Sequence, residues 1–119
     1  MPTAHLDTFA RDHLPPPEQQ PQYRFDLPEL QFPDQLNCAT ELLDKHVAAG
    51  RGDRLCIRAP GLSWTYADLQ EKAYRIANVL VRDMGLVPGN RVLLRAPNNP
   101  MLVACWFAVM KAGGIAVSS

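Results

Sequence analysis

Residues 91–119, RVLLRAPNNPMLVACWFAVMKAGGIAVSS, decide the fold class. The Pro88-Gly89 turn signal leads into a strand over Arg91 to Arg95. Asn99 and Pro100 then supply a cap and a first-turn proline, which predicts a helix from Met101 to Ala112. Gly113-Gly114 ends it, and Ile115, Ala116 and Val117 begin another strand. Strand, helix and strand with a crossover this long imply a right-handed parallel pair, so the class is α/β. Within the helix only Lys111 is charged, while Leu102, Val103, Trp106, Phe107, Val109 and Met110 take up most of the circumference. A helix apolar all round has to be covered on all sides. The chain also stops at Ser118-Ser119, directly after a strand has begun. The expectation is therefore a truncated front piece of a larger protein.

Upstream, Thr65 and Asp68 fit the T-x-x-D pattern that opens a helix. Leu69, Ala73, Ile76, Ala77, Leu80 and Met84 mark its apolar face, Glu71, Lys72, Arg75 and Arg82 point elsewhere, and Gly85 stops it. Before it, Leu55, Ile57 and Ala59 alternate with Cys56 and Arg58 as one strand. Leu62, Trp64 and Tyr66 alternate as the return strand across the Pro60-Gly61 turn, which makes a β-hairpin. Leu36, Ala39, Leu43 and Val47 recur at helical spacing, with Leu42 and His46 beside them and Gly50 as the stop.

Residues 1–35 read differently. Seven of the 11 prolines fall there (Pro2, Pro15, Pro16, Pro17, Pro21, Pro28 and Pro33), which excludes a continuous helix or a central strand. A short helical turn fits Ala4 to Asp12, capped by Thr3, with Leu6, Phe9 and Ala10 on one side. Beyond it Tyr23, Phe25, Leu27, Leu30 and Phe32 are spaced along an extended arm. Each such group contributes roughly 1.5–3 kcal/mol when buried, so a docked arm is expected in preference to a loose tail. The division is a Pro-rich arm over 1–35 and the first part of an α/β domain over 36–119.

Composition narrows the class. In 119 residues, 12 basic side chains balance 12 acidic ones, which leaves no electrostatic footprint for nucleic acid or an anionic membrane. Cys38, Cys56 and Cys105 are odd in number and lack a C-x-x-C spacing, which fits a reduced, cytoplasmic setting rather than a disulfide framework. Asp7, Arg11 and Asp12 interrupt the stretch where a signal peptide would be apolar. The apolar run Met101 to Met110 is about half of the roughly 20 residues that cross a bilayer.

The search for chemistry is largely negative. No G-x-x-x-x-G-K-[ST], G-x-G-x-x-G or G-x-S-x-G occurs. Gly50-Arg51-Gly52 reads as a helix stop. His5, His13 and His46 lack the spacing that puts two imidazoles on one metal, and His46 reads as a surface or helix-end histidine. Cys56 and Cys105 have no adjacent base to activate them. Asp44 and Lys45 are sequence neighbours that do not face each other on a helix. Trp64 and Trp106 read as packing residues. Arg95-Ala96-Pro97-Asn98-Asn99 alone has ligand-site geometry, at the end of a parallel strand and the start of a helix. The competing reading is a capped turn.

Several runs taken together resemble the start of an adenylate-forming (AMP-binding) enzyme, the superfamily of acyl- and aryl-CoA ligases. They are Thr65-Tyr66-Ala67-Asp68-Leu69, Arg75-Ile76-Ala77-Asn78, Gly85-Leu86-Val87-Pro88-Gly89-Asn90-Arg91-Val92, Ala96-Pro97-Asn98-Asn99-Pro100 and Lys111-Ala112-Gly113-Gly114. Each is weak alone, and the five in this order over residues 36–119 are specific. The lead from His5 to Pro16 is similar to that of benzoate-type ligases, 2-aminobenzoate (anthranilate) CoA ligases above all.

The resemblance implies a parent enzyme that uses ATP, Mg2+ and CoA. An aromatic carboxylate attacks the α-phosphate of ATP to give an acyl-adenylate and pyrophosphate, and the CoA thiol then displaces AMP. Such chemistry rests on positioning and electrostatics more than on a protein nucleophile. It also implies that the phosphate loop ending in Pro-Lys-Gly, the nucleotide-binding aspartate and the catalytic lysine lie beyond residue 119. No catalytic, cofactor-binding or metal residue is therefore assigned here, and the 119-residue chain by itself is expected to be inactive and to bind no cofactor. Two other readings stay open. One is another superfamily member acting on a fatty-acyl or aminoacyl substrate, and the other is a non-catalytic module that self-associates through its apolar helix.

Overall fold

The computed structural model describes residues 3–119. The first two positions of the arm lie outside the described residues. The expected β-α-β unit is present: β3 (Arg91–Leu94), α3 (Pro100–Lys111) and β4 (Ile115–Ser118), with β3 and β4 parallel and Leu93 opposite Val117. Asn99 accepts the Leu102 N–H at 2.9 Å through its side chain, the cap its position called for.

The hairpin is β1 (Leu55–Ala59) and β2 (Leu62–Thr65), antiparallel across Pro60-Gly61. Its alternation departs from expectation. The pairing shifts between Leu55 and Ile57, so one extra residue sits on β1. Such a bulge breaks the two-residue period. Cys56 and Ile57 consequently both pack against the core, and Leu55 is exposed.

Helix α2 (Tyr66–Asn78) opens on a complete capping box. Thr65 accepts the Asp68 N–H at 3.2 Å, and Asp68 accepts the Thr65 N–H at 2.8 Å. It continues through a wide turn, Val79–Asp83, with the Met84 N–H donating to the Val79 carbonyl at 3.1 Å. Gly85, at φ +67°, then lets the Leu86 N–H reach back to Leu80 at 2.8 Å and closes the helix. The 38–51 helix likewise contains wide turns at Thr40–Asp44 and Val47–Arg51, and ends around Gly50.

Helix α2 packs along α3, with the hairpin against α2 and the parallel pair against α3. The core is Leu43, Trp64, Leu69, Leu80 and Val109 around Ala73, Ala77, Ala104 and Ala108. Small side chains on both helices allow close approach of their axes. One expectation needs correction. Met84 leaves the α2 face and is exposed, because the wide turn rotates the helix away from its 3.6-residue period. Among the described residues α3 is covered on part of its surface only, since Pro100, Ala104, Ala108 and Val109 are buried while Met101 and Trp106 are exposed.

The arm also differs from its sequence reading. Tyr23, Phe25, Leu27 and Phe32 are exposed, and Tyr23, Phe25 and Phe32 pack on one another rather than on the domain. With prolines excluding regular structure, they have no shared face to offer the core. Docking occurs earlier. Leu6 and Asp7 donate their N–H groups to the Pro88 carbonyl at 3.0 and 2.9 Å. The helical turn is α1 (Phe9–Asp12), with Thr8 and not Thr3 at its N-cap position, and the Asp7 side chain just before it accepts the Phe9 N–H at 3.0 Å.

Candidate functional site

Leu94 and Ser118 end the two parallel strands. With Leu102, Val103 and Trp106 from the first half of α3 they surround a recess of about 190 Å³. This is the strand-end position where α/β sheets bind ligands. Its lining is apolar apart from Ser118, so it can accept an apolar group and carries no acid or base of its own. Arg95 to Asn99 follow in the adjoining loop and are exposed. Asn99 is committed to capping α3, as the capped-turn reading held.

The other singled-out residues take structural roles. His46 accepts from Arg51 at 3.1 Å through Nδ1 and lies against the Tyr66 ring, 5.1 Å between centroids. His13 donates to the Phe9 carbonyl at 2.7 Å and stacks on the Phe9 ring. His5 faces a second, larger groove. Gly50, at φ +79°, ends its helix as expected of a stop. All three cysteines are free, and burial pushes the Cys56 thiol up, away from the thiolate a nucleophile needs. Trp64 is buried beneath Lys72, whose Nζ lies 4.9 Å from the ring centroid. Among the described residues no group of three or more His, Cys, Asp or Glu could hold a metal, and no helix is long and apolar enough to cross a membrane.

Two polar constellations were not found from the sequence. Lys111 pairs with Asp44, Gln70 donates to the other Asp44 oxygen at 3.0 Å, and Lys111 lies 5.0 Å from the centre of the Tyr74 ring. Burial pushes the Asp44 carboxyl up, but the hydrogen bonds from Lys111 and Gln70 outweigh it and hold the group below its ordinary value. Burial likewise works against the Lys111 charge, and Asp44 more than restores it. This tie joins the 38–51 helix to α2 and α3. The available signal was Lys111 itself, a lone charge on an apolar helix. The second constellation is Asp7, which accepts from Asn90 at 2.8 Å and from Arg91 at 2.5 Å.

Residues 44–118 match the AMP-binding enzyme family. The chain belongs to that family. The AMP-binding match takes in the hairpin, α2 and the whole β3-α3-β4 unit. An acetyl-coenzyme A synthetase of Mycolicibacterium smegmatis is 37% identical over 84 residues, 66% of this chain and 9% of that protein. A 3-hydroxybenzoate/4-hydroxybenzoate CoA ligase of Thauera aromatica is 31% identical over 90 residues, 76% of this chain and 17% of that protein. Among solved structures, the anthranilate CoA ligase AuaEII in complex with anthranoyl-AMP superposes with a TM-score of 0.65 at 25% identity, over 74% of this chain and 16% of that one. ATP-bound MatB from Rhodopseudomonas palustris gives 0.63 at 32% identity, over 70% of this chain and 16% of its own. The chain thus spans less than a fifth of each of these proteins.

Proposed function

We propose that this chain is part of an ATP-dependent acid–CoA ligase that converts an aromatic carboxylate, ATP and CoA into the aryl-CoA, AMP and pyrophosphate. The observation that carries the reading is the family match over residues 44–118. An aromatic acid is favoured by the likeness to AuaEII and to the hydroxybenzoate ligase, together with the benzoate-type lead from His5 to Pro16. Benzoate or 2-aminobenzoate is the substrate we assign to the whole protein, in a cytoplasmic setting. No residue of this chain is assigned to binding ATP, Mg2+ or CoA. The part of the described residues is to brace the domain, and the 119-residue chain alone is expected to be inactive.

A second reading has a specific observation in its favour: the acetyl-coenzyme A synthetases match at higher identity than the hydroxybenzoate ligase does. Acid-dependent ATP–pyrophosphate exchange by the full-length protein separates the two. We expect exchange with 2-aminobenzoate or benzoate, and none from the 119-residue chain. Exchange with acetate alone would remove the aryl assignment, and exchange from the short chain would place a nucleotide site where none is drawn. If no carboxylic acid supports exchange, the ligase reading fails. The non-catalytic self-associating module would then remain, with Leu93, Met101, Trp106 and Val117 as its exposed apolar surface.

A further inference from the structure

The N-terminal segment reaches the domain through an unusual kind of contact. It crosses the Pro88-Gly89 turn at the entrance to β3, and almost everything that holds it there is polar. The Pro88 carbonyl accepts two successive N–H groups, from Leu6 and Asp7. The Asp7 carboxylate accepts from the side chains of Asn90 and Arg91, 83 and 84 residues away in sequence, and from the Phe9 N–H. Arg91 lies over the Phe9 ring, 4.7 Å from its centre. Yet Leu6 and Phe9, the large apolar side chains of the segment, are exposed.

The approach depends on Gly89. A Cβ at this position, where φ is +95°, would lie 2.0 Å from the Asp7 carbonyl oxygen, so backbone would have to move. Beside the strap lies the larger groove, about 580 Å³, lined by Ala4 and His5, by Leu36, Asn37 and Cys38, and by Lys111 to Gly114.

A segment held by two backbone hydrogen bonds, the hydrogen bonds of one carboxylate and one guanidinium–ring contact, with little apolar burial, opens at far lower free energy than the core it rests on. We propose that residues 4–12 form a detachable strap that is locked onto the Pro88–Arg91 turn by Asp7 and supplies Ala4 and His5 to the lining of the adjoining groove. The charged and titratable groups around the lock are Arg91 on β3, His5 on the strap, and Asp12 and His13 at the end of α1. Asp12 is occupied by the Thr8 hydroxyl, which donates to it at 2.7 Å, and His13 by the Phe9 carbonyl. Arg91 is therefore the cation that holds Asp7.

Hydrogen exchange on the full-length protein tests this. Asp7→Asn keeps the shape of the lock and removes its charge, and Gly89→Ala blocks the backbone approach. We expect either variant to speed exchange at the Leu6 and Asp7 amides by about tenfold, with α2 and α3 amides unchanged. Trypsin cleavage after Arg11 should accelerate in parallel. Unchanged exchange at Leu6 and Asp7 in the Asp7→Asn protein would overturn the lock. Faster exchange throughout α2 and α3 in that protein would overturn detachability, because strap and core would then open as one unit. Neither readout depends on which acid the protein activates.

Discussion

The arm and the α2–α3 seam invert the usual ranking of hydrophobic residues. Tyr23, Phe25 and Phe32 are large and apolar, and they are exposed, Tyr23 to 71%. The seam is built mostly from alanines, and Ala104 and Ala108 are completely buried. The difference lies in spacing. Ala73 and Ala77, like Ala104 and Ala108, are four residues apart, so each pair lies on one side of its helix, and both pairs belong to one buried cluster. The arm's aromatic residues are set among prolines on a backbone without period, and no single surface can receive them together. Periodicity, more than hydrophobicity, selects what is buried here.

Native-state hydrogen exchange of the full-length protein can break this contrast at its strongest point. Leu69 is among the largest fully buried side chains beside the seam. Leu69→Ala should lower the opening free energy of the α2 and α3 amides by about 2–5 kcal/mol, the range for a buried leucine replaced by alanine. A loss much below that would mean that the seam collapses around the cavity and is less closely packed than its burial indicates.

The Asp44–Lys111 tie is intermediate. Its side chains are 14% and 30% exposed, so solvent screens the pair in part. Lys111→Met should cost about 1–2 kcal/mol at neutral pH, less than a fully buried pair would lose. The sign of its pH dependence follows from the lowered Asp44 pKa. The Asp44 contribution is complete above the ordinary carboxylate value of about 3.9 and disappears as pH falls through the lowered native value. Lys111, raised in the native state, contributes fully below its ordinary value and loses that contribution only as pH rises through the native one. Parent and Lys111→Met proteins should therefore converge in acid. Persistence of the full difference at low pH would assign the effect to packing on Tyr74.

At the far end of the scale, Phe25→Ala should change core protection by no more than about 0.5 kcal/mol, as for surface substitutions generally. A larger effect in the full-length protein would show that the arm is docked there, on polypeptide other than residues 3–119.

Legibility from the sequence followed the range of the interaction. The Thr65–Asp68 box, the Asn99 cap and the Gly50 and Gly85 stops each act within a few residues, and each stands where its spacing put it. The β1 bulge at Cys56 escaped notice because alternation alone does not reveal a shifted register. The strand-end loop was legible as a place, and its recess was not, since Trp106 and Leu94 meet there only after α3 folds back. Asp44 and Lys111 are 67 residues apart, and no local pattern joins them.

The sequence by itself determined where α2 and α3 start and stop, the α/β class and the parallel β3–β4 pair, because capping, turn formation and side-chain period are local properties of the chain. Tertiary structure alone decided which side of α3 is covered, which carboxylates find cations, and that Gly89 must lack a side chain to admit Asp7. Those outcomes depend on distances between segments that are close in space and remote along the polypeptide.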